Sequence, residues 1–212
     1  MRRGATVASL ILLAACFAGC ASATSTSPTS TTAKPPLNSH TPLANPFSVD
    51  FDRLRGEFGA RTDFAEICER DRPLHQLADL VIQKDWNTIV VTSEPWLQRC
   101  PVDIDAHLIR AVALKELKRF TESEHHMNWF RGLVDSVLTS GDGRTPQTAF
   151  VVISVAEEYS ILRVLRVRPR RHMTLSSGVD ELIVEIDGVA GTLYFNPVAQ
   201  ARRLGERPSD LR

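Results

Sequence analysis

The sequence predicts an α+β domain in which tetratricopeptide-like antiparallel helix hairpins pack with a small C-terminal antiparallel β-meander. Three observations predict it. Apolar residues recur every three or four positions from Leu74 to Val137. The chain echoes itself at a shift of 34 residues, the period of such helix pairs: Leu77 falls on Ala111, Leu80 on Leu114, and Lys84-Asp85-Trp86 on Lys118-Arg119-Phe120. Beyond Pro169 the periodicity changes from helix to strand. An apolar content of 43% with nine Phe, three Trp and two Tyr can build a core, and 25 basic residues balance 25 acidic ones, which excludes disorder and a strong polyanion binder.

The chain opens with Met1-Arg2-Arg3 and an apolar run from Ala5 to Leu13, the charged start and hydrophobic stretch of an export signal. Phe17-Ala18-Gly19-Cys20 resembles a lipobox, with Leu13-Ala14-Ala15-Cys16 as its rival. Cys20 is preferred to Cys16 because it leaves an apolar stretch of ordinary length, one still shorter than the roughly 20 residues that a membrane span requires. The expectation is a signal peptide over 1–19 and a diacylglycerol on Cys20. Ala21 is not the aspartate of inner-membrane retention, so the lipoprotein is expected in the outer membrane, facing the periplasm. Residues 20–47 read as a tether, since twenty of the twenty-six residues from Ala21 to Pro46 are Ala, Ser, Thr or Pro and only Lys34 is charged. Such a segment buries too little to offset its ordering. The folded domain is expected over 48–200, helical to 165 and β-rich over 170–197, with a tail at 201–212. In an export compartment the two remaining cysteines, Cys68 and Cys100, are expected to pair.

Within the domain, Ser48 or Asp50 can cap a short helix carrying Phe51, Leu54 and Phe58, which Gly59 stops. Pro73 suits a first helical turn, and Leu74, Leu77, Leu80 and Val81 continue it to Lys84-Asp85. A helix over 86–96 must be kinked or interrupted by Pro95, and its β-branched Ile89-Val90-Val91-Thr92 leaves a buried strand as the competitor. Asp103 or Asp105 caps a helix presenting Ile104, Leu108, Ala111, Leu114 and Leu117. Phe120, Met127, Phe130, Val134 and Val137 then line one face of a helix over 121–138. Ser123 and Ile89 depart from the repeat, which favours small residues there. Thr145-Pro146 reads as a cap and first turn, and the run over 150–165, free of Gly and Pro, reads as an enclosed helix. Strands are expected over 171–175, 181–186 and 192–195, with Ser176-Ser177-Gly178 and the five residues 187–191 as connections.

The stretch from Phe130 to Gly143, with Thr148-Ala149-Phe150, the run from Val152 to Tyr159, Asp180-Glu181-Leu182 and Leu193-Tyr194-Phe195-Asn196, resembles the bacterial domain of unknown function 4919. The resemblance covers most of residues 48–200. It implies a single exported domain and brings no catalytic set.

Residues with chemical potential are few. His126, Asp142, Glu157 and Glu158 are the catalytic candidates for a periplasmic hydrolase, the alternative reading. Glu122 and His126 share a helical face as half a metal site, but one pair is not a ligand set, and neither metal nor cofactor is expected. The Asp142 loop lacks the ligand alternation of an EF-hand and reads as an Asx-turn. No Gly-x-Ser-x-Gly elbow, phosphate loop or His-Glu-x-x-His run is present. Arg163, Arg166, Arg168, Arg170 and Arg171 form a charged run in which Arg166, Arg168 and Arg170 would share one side of an extended strand. It is either an interaction patch or a solvated rim pairing with Glu157, Glu158 and Glu181. Near-neutral charge and export disfavour nucleic acid. The preferred reading is a lipid-tethered interaction or scaffolding module for an envelope protein or peptide, with an immunity lipoprotein as one form.

Overall fold

Asp50 accepts a hydrogen bond from the Arg53 amide and so opens α1 (Phe51–Gly59). The computed structural model describes residues 49–186 and 188–197; Cys16, Cys20, the tether and the tail lie outside the described residues. A π-helical turn, Ala65–Glu69, follows α1 and carries Cys68. Four helices come next: α2 (Leu74–Gln83), α3 (Trp86–Arg99), α4 (Ile104–Glu116) and α5 (Phe120–Leu138). Asp85 caps α3 and Asp103 caps α4, each accepting from the amide three residues on. Lys84 and Lys118 end α2 and α4 in left-handed conformation, at φ 57° and 63°. At both ends the same pair of hydrogen bonds closes the turn, Lys84 to Val81 and Asp85 to Leu80, Lys118 to Lys115 and Arg119 to Leu114. Thr88 to Thr92 is helical, and α3 runs past Pro95 to Arg99 rather than stopping there. Tertiary packing of Ile89, Val90 and Trp96 outweighs their weaker helix propensity.

Cys100 follows α3 and is disulfide-bonded to Cys68, with Cα atoms 5.2 Å apart. The bridge closes a loop between residues 32 apart. The Cys68→Ala, Cys100→Ala double variant is expected to lose up to about 3.7 kcal/mol in the chain-entropy account. Urea unfolding of oxidised wild type beside the variant measures it; equal midpoints would remove any stabilising role.

The three C-terminal strands pair antiparallel in chain order, as expected, and a further strand from upstream joins them. The sheet has four strands in the order β1-β4-β3-β2, formed by β1 (Phe150–Val151), β2 (Arg168–Thr174), β3 (Asp180–Ile186) and β4 (Val189–Asn196). β1 joins β4 in parallel, Phe150 opposite Phe195, so the sheet is mixed; the other pairs are antiparallel. The helix expected over 150–165 therefore begins only at α6 (Val155–Val164). Ser154 sets that start by accepting from the Glu157 amide, and its extended backbone turns Phe150 to Ile153 out of the helix. Thr145-Pro146 does open a helical turn, but a single 3-10 turn, Pro146–Thr148. The β3–β4 connection is shorter than five residues: Ile186 pairs with Val189, and Gly188 turns the chain at φ 81°. Leu182, Val184, Leu193 and Phe195 bury the inner face of the sheet in the core shared with Leu114, Leu133, Ile161 and Leu162.

Candidate functional site

Buried polar side chains gather around α6, and they divide into groups that are satisfied and one that is not. Glu157, in the first turn of α6, receives both Arg55 Nε and Nη2 at 2.8 Å, and its Oε2 accepts from the Ile153 amide. Arg55 also donates to Ser136 Oγ and the Val151 carbonyl. This clamp ties α1, α5, β1 and α6 together, with both charged side chains about 5% exposed or less. Every acceptor on Glu157 faces a structural donor.

A second group lies between α4 and α6. Arg72 grips Asp103 through two bonds of 2.7 Å and reaches Asp105 at 2.9 Å, while Arg163 and Ser160 of α6 also bind Asp105. Burial alone would raise the Asp103 carboxyl, but Arg72, the Ala106 amide and the Trp96 indole outweigh it and hold it below the usual range. Arg163, expected in an open basic patch, is thus engaged with Asp105.

One turn along α4 from Asp103, His107 Nδ1 lies 3.0 Å from His126 Nδ1. His107 Nε2 meets the Pro101 carbonyl at 3.0 Å, and Arg110 Nε donates to His126 Nε2 at 2.8 Å. One proton pattern satisfies all three contacts: His107 carries its proton on Nε2, and His126 carries its own on Nδ1 and donates it to His107. Both rings are then neutral. Burial pushes His107 down to about 4, and burial with the neighbouring His107 and Arg110 charges pushes His126 down to about 3. Trp129 stacks on His107 at 5.2 Å. His126 is therefore a packed, tautomer-fixed side chain rather than a solvated or capping one, and Glu122 pairs with Arg119 instead of joining it.

The unsatisfied group is Glu158, adjacent to Glu157 in sequence but directed toward the sheet. It is 0% exposed. Among the described residues, its two carboxylate oxygens are the only buried side-chain polar atoms without a hydrogen-bond partner. His172 of β2 brings Nε2 to 3.8 Å from Glu158 Oε2 and 3.4 Å from Asp180 Oδ1 of β3. Thr174 Oγ1 donates to the same Asp180 oxygen at 2.5 Å, across a register that pairs Thr174 with Asp180. Burial first, then the Asp180 and Glu157 carboxylates, push the Glu158 carboxyl up to about 9. His172 retains 27% side-chain exposure, so the group reaches solvent on one side.

The four catalytic candidates fall into separate bonding groups: His126 with His107, Glu157 with Arg55, Glu158 with His172 and Asp180, and Asp142 with Arg144 and Thr148. Asp142 makes an Asx-type turn, accepting from the Arg144 amide at 3.0 Å and from Thr148 Oγ1. Gly143 beside it has φ 65°, and a Cβ there would stand 2.3 Å from the Phe150 ring. The arginine run is not one extended row either: Arg166 is left-handed at φ 57°, and the register shifts between Pro169 and Arg171, displacing Arg170 toward Glu185. All five arginines stay exposed, Arg163 and Arg170 while paired with Asp105 and Glu185.

A family model described as Domain of unknown function (DUF4919) matches residues 68–203. The chain belongs to this family. The DUF4919 match takes in the disulfide, both helix pairs, Glu158, His172 and Asp180, whereas Arg55, the partner of Glu157, precedes it. No curated protein and no solved structure matches the chain.

Proposed function

We propose that the chain is an outer-membrane lipoprotein, tethered through Cys20, whose tetratricopeptide-like helix pairs capture an envelope protein or peptide. The observation that carries this reading is the recurrence of one helix-turn-helix geometry. The left-handed residues Lys84 and Lys118 stand 34 positions apart with the same closing hydrogen bonds, and the helix-crossing residues Leu77 and Ala111 are both buried. At the second crossing Ser123 Oγ donates to the Ala111 carbonyl, so a hydroxyl serves where the repeat favours a small apolar residue. Ile82 and Phe120, each two residues from one of these turns, and Val91, farther along α3, are 65%, 59% and 72% exposed. Exposed apolar side chains on these helix pairs suit burial by a partner.

Cross-linking in intact envelopes followed by affinity recovery tests the reading. Wild type is expected to recover a discrete envelope protein, and Phe120→Asp or Val91→Asp to reduce that recovery at least tenfold without altering the melting temperature. An Arg168→Ala, Arg171→Ala variant asks whether the exposed arginines belong to the same surface. Turnover of an envelope substrate, lost in Glu158→Ala or Asp142→Ala with no discrete partner recovered, would replace this reading with the hydrolase.

A further inference from the structure

We propose that Glu158, His172 and Asp180 form a binding site for a divalent transition-metal ion of the zinc class. Each residue can offer one ligand atom, and the three atoms lie within 4.8 Å of one another. The donor set, one imidazole nitrogen and two carboxylate oxygens, is the kind zinc accepts, whereas calcium and magnesium sites are built from oxygen alone. Spacing agrees with the chemistry. Metal–ligand distances of about 2.0–2.1 Å place neighbouring tetrahedral ligands roughly 3.3 Å apart. His172 Nε2 already stands 3.4 Å from Asp180 Oδ1 and 3.8 Å from Glu158 Oε2.

Independent support comes from Glu158. No described residue donates to either oxygen of the fully buried Glu158, and none of the arginines that satisfy Glu157, Asp103 and Asp105 reaches it, so without a cation it must keep its own proton toward Asp180. A cation between Glu158 and Asp180 supplies the missing partner. The surrounding residues hold the ligands in place: Glu158 sits on α6, His172 and Asp180 sit on the paired strands β2 and β3, and the Thr174 hydroxyl orients Asp180. The partly exposed His172 gives the ion an access route and leaves a fourth position for water. This site stands apart from the helix-turn surface of the capture reading, and its failure would leave that reading intact.

The test uses the full chain, stripped with chelator and titrated with zinc chloride by calorimetry and thermal unfolding, then with Co2+ followed by visible absorption. One saturable equivalent, a raised melting temperature and a cobalt d–d band are expected. His172→Ala is expected to weaken zinc at least tenfold and abolish the band. Asp180→Asn should do the same, and the exposed His75→Ala should leave both unchanged. The partial exposure of His172 keeps that variant folded and therefore informative. Absence of saturable binding at millimolar zinc, or binding equal in wild type and His172→Ala, overturns the proposal.

Discussion

Glu157→Ala is expected to destabilise the domain by about 3–5 kcal/mol, the cost of leaving a buried guanidinium without its counter-charge. Arg55 would then retain only Ser136 Oγ and the Val151 carbonyl as acceptors, in a site where its side chain is 5% exposed. A domain of this size has on the order of 5–15 kcal/mol of stability, so the variant loses a large fraction of it. Arg55→Met combined with Glu157→Leu removes both charges, and is expected to recover much of the loss because desolvation disappears with the pair. Urea unfolding of Arg55→Met, Glu157→Leu and the double variant closes the cycle. Single losses below about 1 kcal/mol would mean that water reaches the clamp and that the bridge behaves like a surface pair.

Glu158→Gln should act in the opposite direction. In chelator-treated protein the folded carboxyl titrates at about 9 and the unfolded one at 4.5, so folding takes up a proton between these values. The sign follows from linkage. Wild type is unpenalised below pH 4.5 and loses stability as pH rises toward 9. Gln does not titrate, so its advantage should be absent in acid, grow by up to about 1.4 kcal/mol per pH unit, and reach on the order of 3 kcal/mol at pH 7. Chemical unfolding of both proteins from pH 4 to 9 measures the slope. A difference independent of pH would show that the Glu158 carboxyl ionises in the folded chain as readily as in the unfolded one. The adjacent Glu157→Gln should give no such gain, since its carboxylate is fully partnered.

The contrast between these neighbouring glutamates separates what was legible in the chain from what was not. Helix limits at Asp50, Asp85 and Asp103, the turns at Lys84 and Lys118, and the helical face of α2 follow from residues within one or two turns of each other, whereas α4 is buried on nearly all sides and Phe120 of the face expected on α5 is exposed. Local hydrogen bonding and periodic burial decide such features, and both are written in sequence. Ser154 with Glu157 three residues on was an equally local signal for the start of α6, outweighed by the long run without Gly or Pro.

The site residues obey different physics. Arg55 is 102 positions from Glu157, Arg163 is 58 from Asp105, and His107 is 19 from His126. His172 and Asp180 come beside Glu158 only because β2 and β3 pair against α6. The parallel pairing of β1 with β4 likewise depends on a two-residue strand too short to carry a period of its own. Sequence alone determined the main helices up to Leu138, the three later strands and the 34-residue recurrence, because short-range backbone bonding and side-chain alternation act between near neighbours. Tertiary structure alone decided which carboxylate would be gripped and which left bare, because in a low-dielectric interior a charge is governed by the partners that distant segments bring within hydrogen-bond reach.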